Sequence, residues 1–373
     1  MKISRIIFAI VALELSVNYA FRLADATLKD AFKNDFDIGV ALNARQFSGL
    51  DPKAQALIRQ QFNSISPEDA LKWRSVHPAR GKYTFDVADK YVEFGVKNGL
   101  DIVGHTLIWH SHTDPWISVN EKGEQLNRDE MLHVMKDHIT TVMGRYRGKI
   151  KGWDVVNEAF NEDGTYRKSK WHEIIGEDFI EKAYEYAHEA DPSAELYYND
   201  YNLFKPAKRA AVVRLLKKLK EKNIPLKGVG EQGHYYLQTP TVAEVEAAVL
   251  DLASTGYPVS ITELDVNVLP KPAGQLTAEV SATLAYDEKW NPYVKGLPDT
   301  TARKLAHKYS TLFAMFHKHR DKIARVTFWG LTDGDSWLNG YPIKGRTNYP
   351  LLFDRNYQPK RPVFGDVVRV VGK

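Results

Sequence analysis

Eight short apolar segments alternate with longer amphipathic stretches along almost the whole chain, and this alternation restricts the fold more than any other feature. The segments cover residues 37–43, 63–68, 101–109, 151–158, 195–199, 227–234, 258–265 and 324–330. Between them, core-type side chains recur at helical spacing. Met131, Val134, Met135, His138, Ile139, Val142 and Tyr146 form one such series, Leu215, Leu216 and Leu219 a second, and Leu305, Tyr309, Leu312 and Phe316 a third. Gly99, Pro192 and Gly256 end helical stretches just ahead of the third, fifth and seventh segments. Strand–helix repeats of this kind, with no linker and no low-complexity interruption, predict an α/β chain closed into a single (β/α)8 barrel, the TIM-barrel architecture. The main rival is a doubly wound open sheet. It calls for a Gly-rich turn after its first strand, and Gly39-Val40-Ala41-Leu42-Asn43 offers none.

At 373 residues the chain is longer than a minimal barrel of about 250 residues. Part of the excess looks like an export leader: Lys2 and Arg5, an apolar run over 6–17 that contains Glu14, and the small-residue site Ala24-Asp25-Ala26. Residues 1–26 are therefore expected to be a signal peptide, and 27–373 one barrel domain. The remaining excess belongs to loops, above all 266–300, which is rich in Pro, Gly and Asn and should extend over the face where the strands end. The apolar run is too short to span a bilayer comfortably, and no other stretch qualifies, so no membrane anchor is expected. The chain has no cysteine, which excludes disulfides and a cysteine-borne lipid anchor. A secreted or periplasmic monomer follows. A net charge of only +4, with basic residues spread on helical faces such as 214–222, offers no nucleic-acid footprint.

The chemistry sits at the ends of the segments. The first ends in Asn43, the second in Glu68, Asp69 and Lys72, the third in His105, Trp109 and His110. The fourth, within Lys151-Gly-Trp-Asp-Val-Val-Asn-Glu-Ala-Phe160, ends in Asn157 and Glu158; the fifth ends in Asn199 and Asp200. Gln232 and His234 end the sixth, Glu263 and Asp265 the seventh, and Trp329 the eighth. In a barrel these ends converge on one ring, the usual place for catalysis. Glu158 and Glu263 are the natural pair. Two carboxylates flanking a bond are the equipment of glycoside hydrolysis, one protonated to assist the leaving oxygen and the other ionised. Either one alone would read equally well as a salt-bridged strand end.

The motifs KGWDVVNEAF (151–160), ITELDV around Glu263, GHTLIWH (104–110), Gln232-Gly233-His234, FWGLTDGDSWL (328–338) and NYPLLFD (348–354) occur in this order. Together they resemble glycoside hydrolase family 10, the retaining endo-β-1,4-xylanases, from about residue 31 to residue 364. The resemblance implies that Glu158 is the acid/base and Glu263 the nucleophile of a double displacement, with the carboxyl groups about 5–5.5 Å apart. It implies that Asn157 meets the sugar 2-hydroxyl, and that His234 and Asp265 form a hydrogen-bonded relay beside Glu263. Glu68, Lys72, His105, Trp109, Gln232, Trp329 and Trp337 match positions that grip sugars on the glycone side, and Tyr201 matches the aglycone side. The implied partner is xylan or xylo-oligosaccharide.

Two positions depart from the family pattern. Asp69 stands where Asn is usual, and an ionised Asp only accepts hydrogen bonds. Lys72, three residues on, is placed to offset its charge. His112 stands where Gln is usual. Both bear on which sugar chain is accepted rather than on bond cleavage. His105, His110 and His112 match no standard metal-ligand spacing and no cysteine assists them, so neither a metal nor another cofactor is expected. Trp109, Trp329 and Trp337 read as sugar platforms at the rim, with simple core packing as the alternative. Asp333 and Asp335, in a Gly-rich turn, read as turn-capping residues. A related enzyme acting on another β-1,4-glycan and a non-catalytic sugar-binding barrel are the competing functions.

Overall fold

The computed structural model describes residues 27–272 and 283–372. The expected leader, 1–26, and the middle of the long loop, 273–282, lie outside the described residues. Among the described residues there are nine parallel strands: β1 (Asp37–Leu42), β2 (Ser64–Pro67), β3 (Asp101–Ile108), β4 (Gly152–Asn157), β5 (Glu195–Asp200), β6 (Gly228–Glu231), β7 (His234–Tyr236), β8 (Val259–Asn267) and β9 (Ile323–Phe328). Neighbours pair in sequence order from β1 to β6; β6 then pairs with β8, and β9 pairs with both β8 and β1. The sheet is therefore a closed eight-stranded barrel with β7 as an added strip on β8. Closure removes every edge of the main sheet and excludes the open doubly wound arrangement.

The expected sixth strand, 227–234, is broken. Gly233 sits at φ +87°, a conformation open to glycine, and a Cβ there would come within 2.9 Å of Ile261. The chain turns at this point, so Gln232 directly follows β6 and His234 begins the short β7, paired with Asp265. The other strand boundaries move by a few residues at most. Asn43 leaves β1 to cap the short helix Ala44–Phe47, its backbone N–H donating the capping-box bond to Gln46 Oε1 (3.0 Å).

The helices form as their patterns require. Arg128–Arg145 starts with a capping box between Asn127 and Glu130 and buries Met131, Val134, Met135, His138, Ile139 and Val142. Pro206–Glu221 starts on a proline and buries Leu215, Leu216 and Leu219; Asp299–Lys318 buries Leu305, Tyr309, Leu312 and Phe316. One close approach inside the sheet requires a glycine without a special φ. A Cβ on Gly104 would lie 2.1 Å from the Trp153 ring, which is fully buried against it. The described part of 266–300 packs on the loop after β9. Leu284 N–H donates to Pro342 O (2.8 Å), Thr347 N–H to Asn291 Oδ1 (2.8 Å), and Tyr349 O–H to Tyr293 O (3.0 Å).

A charged pair lies wholly inside the structure. Lys208, on helix Pro206–Glu221, places Nζ 2.7 Å from Asp200 Oδ1 at the end of β5, with both side chains fully buried. Asp200 also accepts from Tyr198 O–H (2.7 Å) and Tyr201 N–H (2.9 Å). Burial pushes its pKa up, with Lys208 working the other way. Removing one member leaves a buried charge uncompensated. Lys208→Met should lower stability by about 3–5 kcal/mol, read as a lower urea midpoint with unchanged slope.

Candidate active site

The carboxyl ends of the strands bring the expected ring together. Glu263, in the middle of β8, is 5% exposed. Its Oε1 accepts from Asn199 Nδ2 (2.8 Å), and its Oε2 lies 3.1 Å from His234 Nε2. Behind His234, Nδ1 is 3.1 Å from Asp265 Oδ1, an ion-pair contact whose angle falls outside hydrogen-bond geometry. Asp265 Oδ2 in turn accepts from Trp337 Nε1 (2.8 Å). Burial disfavours the imidazolium, yet the Asp265 and Glu263 carboxylates outweigh it and raise the His234 pKa to about 10. Burial likewise works against charge on Glu263, but the His234 bond, the field of His105 and the Asn199 donor prevail, and its pKa is lowered. Glu263 is a desolvated carboxylate that remains ionised.

Glu158 follows β4 and is 6% exposed. Its backbone is in the left-handed region at φ +58°, unusual for a residue other than glycine. Gln232 Nε2 (3.0 Å) and Asn157 Nδ2 (3.2 Å) donate to Oε1, and Trp109 Nε1 (2.9 Å) donates to Oε2. His110 Nδ1 lies 3.8 Å from the same Oε2. The two glutamates are joined through amides: Asn199 Nδ2 contacts both Glu263 Oε1 and Asn157 Oδ1 (2.9 Å), and Asn157 reaches Glu158. Thr262 O–H fixes the Asn199 amide by donating to its Oδ1 (2.6 Å).

The glycone-side candidates fall into two groups. Trp109, Gln232 and Trp337 spend their polar atoms inside the protein, on Glu158 or Asp265. Trp109 stacks on His112, with ring centroids 5.2 Å apart and planes 8° off parallel, and Lys72 Nζ stands 5.3 Å from its centroid. Trp329 is buried and turns its ring edge-to-face with His105 (5.4 Å). His105 Nδ1 lies 2.9 Å from Asp154 Oδ2, deep in the mouth. Glu68, Asp69 and Lys72 form the second group, in which Asp69 is exposed and Glu68 and Lys72 are partly buried. Lys72 Nζ bridges to Asp69 Oδ1 at 2.9 Å, so the charge at this departure from the family pattern is balanced as expected. Burial, then the Asp69 and Asp335 carboxylates, push Glu68 up to about 8, with Lys72 opposing.

Tyr201 stands on the other side, its hydroxyl accepting from Arg167 Nη2 (2.9 Å) and its ring 3.4 Å from Lys208 Nζ. Asp333 accepts from Leu351 N–H (2.9 Å) and lies 3.0 Å from Lys360 Nζ, a bracing role in the turn. Three contributors were not singled out from sequence: Asn199 as the donor to Glu263, Asp154 as the partner of His105, and Arg167. Asn199 carried a signal, since it ends a strand beside Asp200. Asp154 lies within an apolar run, and Arg167 lies on a hairpin with no periodic pattern. Among the described residues, no cluster of three or more metal-type ligands occurs.

Comparison with known proteins agrees with this arrangement. The chain matches the glycosyl hydrolase family 10 model over residues 27–369. It is 43% identical over 344 residues to endo-1,4-beta-xylanase A of Xylanibacter ruminicola, covering 92% of this chain and 93% of the relative. It is 39% identical over 351 residues to an endo-1,4-beta-xylanase of Geobacillus stearothermophilus, covering 92% and 98%. Among solved structures, a GH10 endoxylanase retrieved from a sugarcane soil metagenome superposes with a TM-score of 0.88 at 46% identity, covering 91% of this chain and 99% of that one. An intracellular xylanase from Thermoanaerobacterium saccharolyticum superposes with a TM-score of 0.79 at 36% identity, covering 92% and 98%. A barrel with two amide-linked glutamates at its mouth and this degree of likeness belongs to glycosyl hydrolase family 10.

Proposed function

We propose that the chain is an endo-1,4-β-xylanase that cleaves xylan with retention, with Glu263 as nucleophile and Glu158 as acid/base. The observation that carries this reading is the opposed treatment of two neighbouring carboxyl groups. Glu263 is kept ionised by an imidazolium and an amide. Glu158 takes its side-chain hydrogen bonds from the neutral donors Gln232, Asn157 and Trp109, with His110 Nδ1 3.8 Å from Oε2. In the first step Glu263 attacks the anomeric carbon while Glu158 gives its proton to the glycosidic oxygen, and the leaving sugar departs. A xylosyl ester on Glu263 results. In the second step Glu158 takes a proton from water, the water attacks the same carbon, and Glu263 is released. Asn157, next to Glu158, is assigned to the 2-hydroxyl, and Glu68, Lys72 and His105 to the glycone, on the strength of the family resemblance. Family membership and the endo-xylanase names of the relatives support xylan as substrate.

Residues 1–26 are assigned as an export leader and 27–373 as one catalytic domain acting as a monomer in a secreted or periplasmic setting. The basic start and apolar run support the leader. No helix among the described residues is long and apolar enough to cross a membrane.

Reducing-sugar release should be found with xylan and not with cellulose; cellulose hydrolysis alone, or none with either, would overturn the assignment. Glu158→Ala should lower kcat/KM on xylan by about 10²–10⁴-fold while sparing substrates with activated leaving groups. Glu263→Ala should be inactive on both kinds. The acid limb of kcat/KM reports Glu263, which must be charged to attack. Because its pKa is lowered, that limb should lie below the ordinary glutamate range. His234→Asn keeps a donor but removes the cation, so the limb should move to higher pH. A pH–rate profile of both proteins checks the sign.

A further inference from the structure

The left-handed backbone of Glu158 needs a restraint, since a residue other than glycine held there stores local strain unless its surroundings over-determine it. Two main-chain bonds supply one. Glu158 N–H donates to Asn199 O (2.9 Å), and Glu158 C=O accepts from Arg167 Nε (3.1 Å). Arg167 is placed by its own N–H, which donates to Ala159 O (2.8 Å), and by the antiparallel bridge between Phe160 and Tyr166. Residues 159–167 are thus a hairpin that leaves Glu158 and returns a guanidinium to it.

The guanidinium does more than close the hairpin. Its Nη2 donates to the Tyr201 hydroxyl (2.9 Å), whose ring is fixed from below by Lys208 Nζ. Arg167 is half-buried, yet among the described residues no carboxylate lies within ion-pair distance of it; the acceptors it meets are a carbonyl and a phenol. An arginine that only needed a surface anchor would be expected to lie exposed or pair with an acid. Here its rigid fork spans two groups of the site, the main chain of Glu158 and the aromatic wall at Tyr201.

We propose that Arg167 is a positioning residue that holds Glu158 aimed at the glycosidic oxygen and ties it to Tyr201, the wall that receives the leaving sugar. Acid assistance and binding of the leaving group are then coupled through one side chain. This rests on the reading of Glu158 as acid/base. It excludes a purely structural role for Arg167, which would affect every substrate alike.

The test is the leaving-group dependence of kcat/KM for dinitrophenyl and phenyl xylobiosides, which isolates the first step. A misplacement of about 1 Å at the acid can cost up to about 10²-fold, so Arg167→Met should lose about 10-fold or more on the phenyl substrate and less than about 2-fold on the dinitrophenyl one. Arg167→Lys keeps the charge without the fork and should show the same selectivity, and it serves if the Met variant does not fold. Tyr201→Phe, which removes the phenol acceptor, should lower phenyl activity in the native background and have little added effect in Arg167→Met. Equal loss on both substrates, no loss on either, or additive effects of the two substitutions would overturn the proposal. Glu158→Ala runs in the same assay. If it fails to discriminate the two leaving groups, the acid/base reading falls and the Arg167 proposal with it. If it discriminates and Arg167→Met does not, only the Arg167 proposal falls.

Discussion

A carboxylate that is almost wholly removed from water and still charged is the constraint on which the rest of the site depends. Desolvation alone would neutralise Glu263 and remove the charge that its proposed role as nucleophile needs. The charge survives because an imidazolium and an amide face its two oxygens. The imidazolium survives because a second carboxylate, Asp265, lies behind it. The relay therefore has an order: Trp337 supports Asp265, Asp265 supports His234, and His234 supports Glu263. Glu263 and Asp265 are buried and His234 and Trp337 partly so, and each charge is offset by its neighbour.

The barrel provides the geometry for that order. Asn157 ends β4, Asn199 lies in β5 and Glu263 in β8, so the backbone fixes where each amide and carboxyl points. Asn199 is the hinge of the arrangement. One amide nitrogen reaches both Glu263 and Asn157, and Thr262 on the strand of Glu263 fixes its orientation. The break between β6 and β7 matters for the same reason. The left-handed turn at Gly233 lets two residues adjacent to it serve different glutamates, Gln232 on Glu158 and His234 on Glu263. In a continuous strand these residues, two apart, would stand side by side on one face of the sheet.

Much of this was legible in the sequence because barrels write their chemistry at strand ends. The alternation of segments named the closed barrel, and the polar terminus of each segment named Glu158, Glu263, Asn157, His234 and Asp265, which the structure brings together. Direction within a side chain was not legible. Trp109 and Trp337 read as flat sugar platforms, but their indole N–H groups are committed to Glu158 and Asp265, and no sequence pattern encodes where an indole nitrogen points. The break after β6 is not legible either, because the segment running through Gly233 looks continuous in sequence and only its positive φ interrupts the strand. Arg167 was invisible because it acts from a hairpin across nine residues of chain, through a backbone carbonyl.

In the proposed double displacement, Glu263 becomes covalently attached to sugar during turnover. A 2-deoxy-2-fluoro-xylobioside with an activated leaving group should trap that state, because the fluorine slows hydrolysis of the ester more than its formation. Mass spectrometry of the intact protein should show one added fluoro-xylobiosyl unit, and the proteolytic peptide carrying it should contain Glu263 with the modification on that side chain. Labelling of Glu158 or Asp265, or turnover with no adduct together with inversion at the anomeric carbon, would contradict the account.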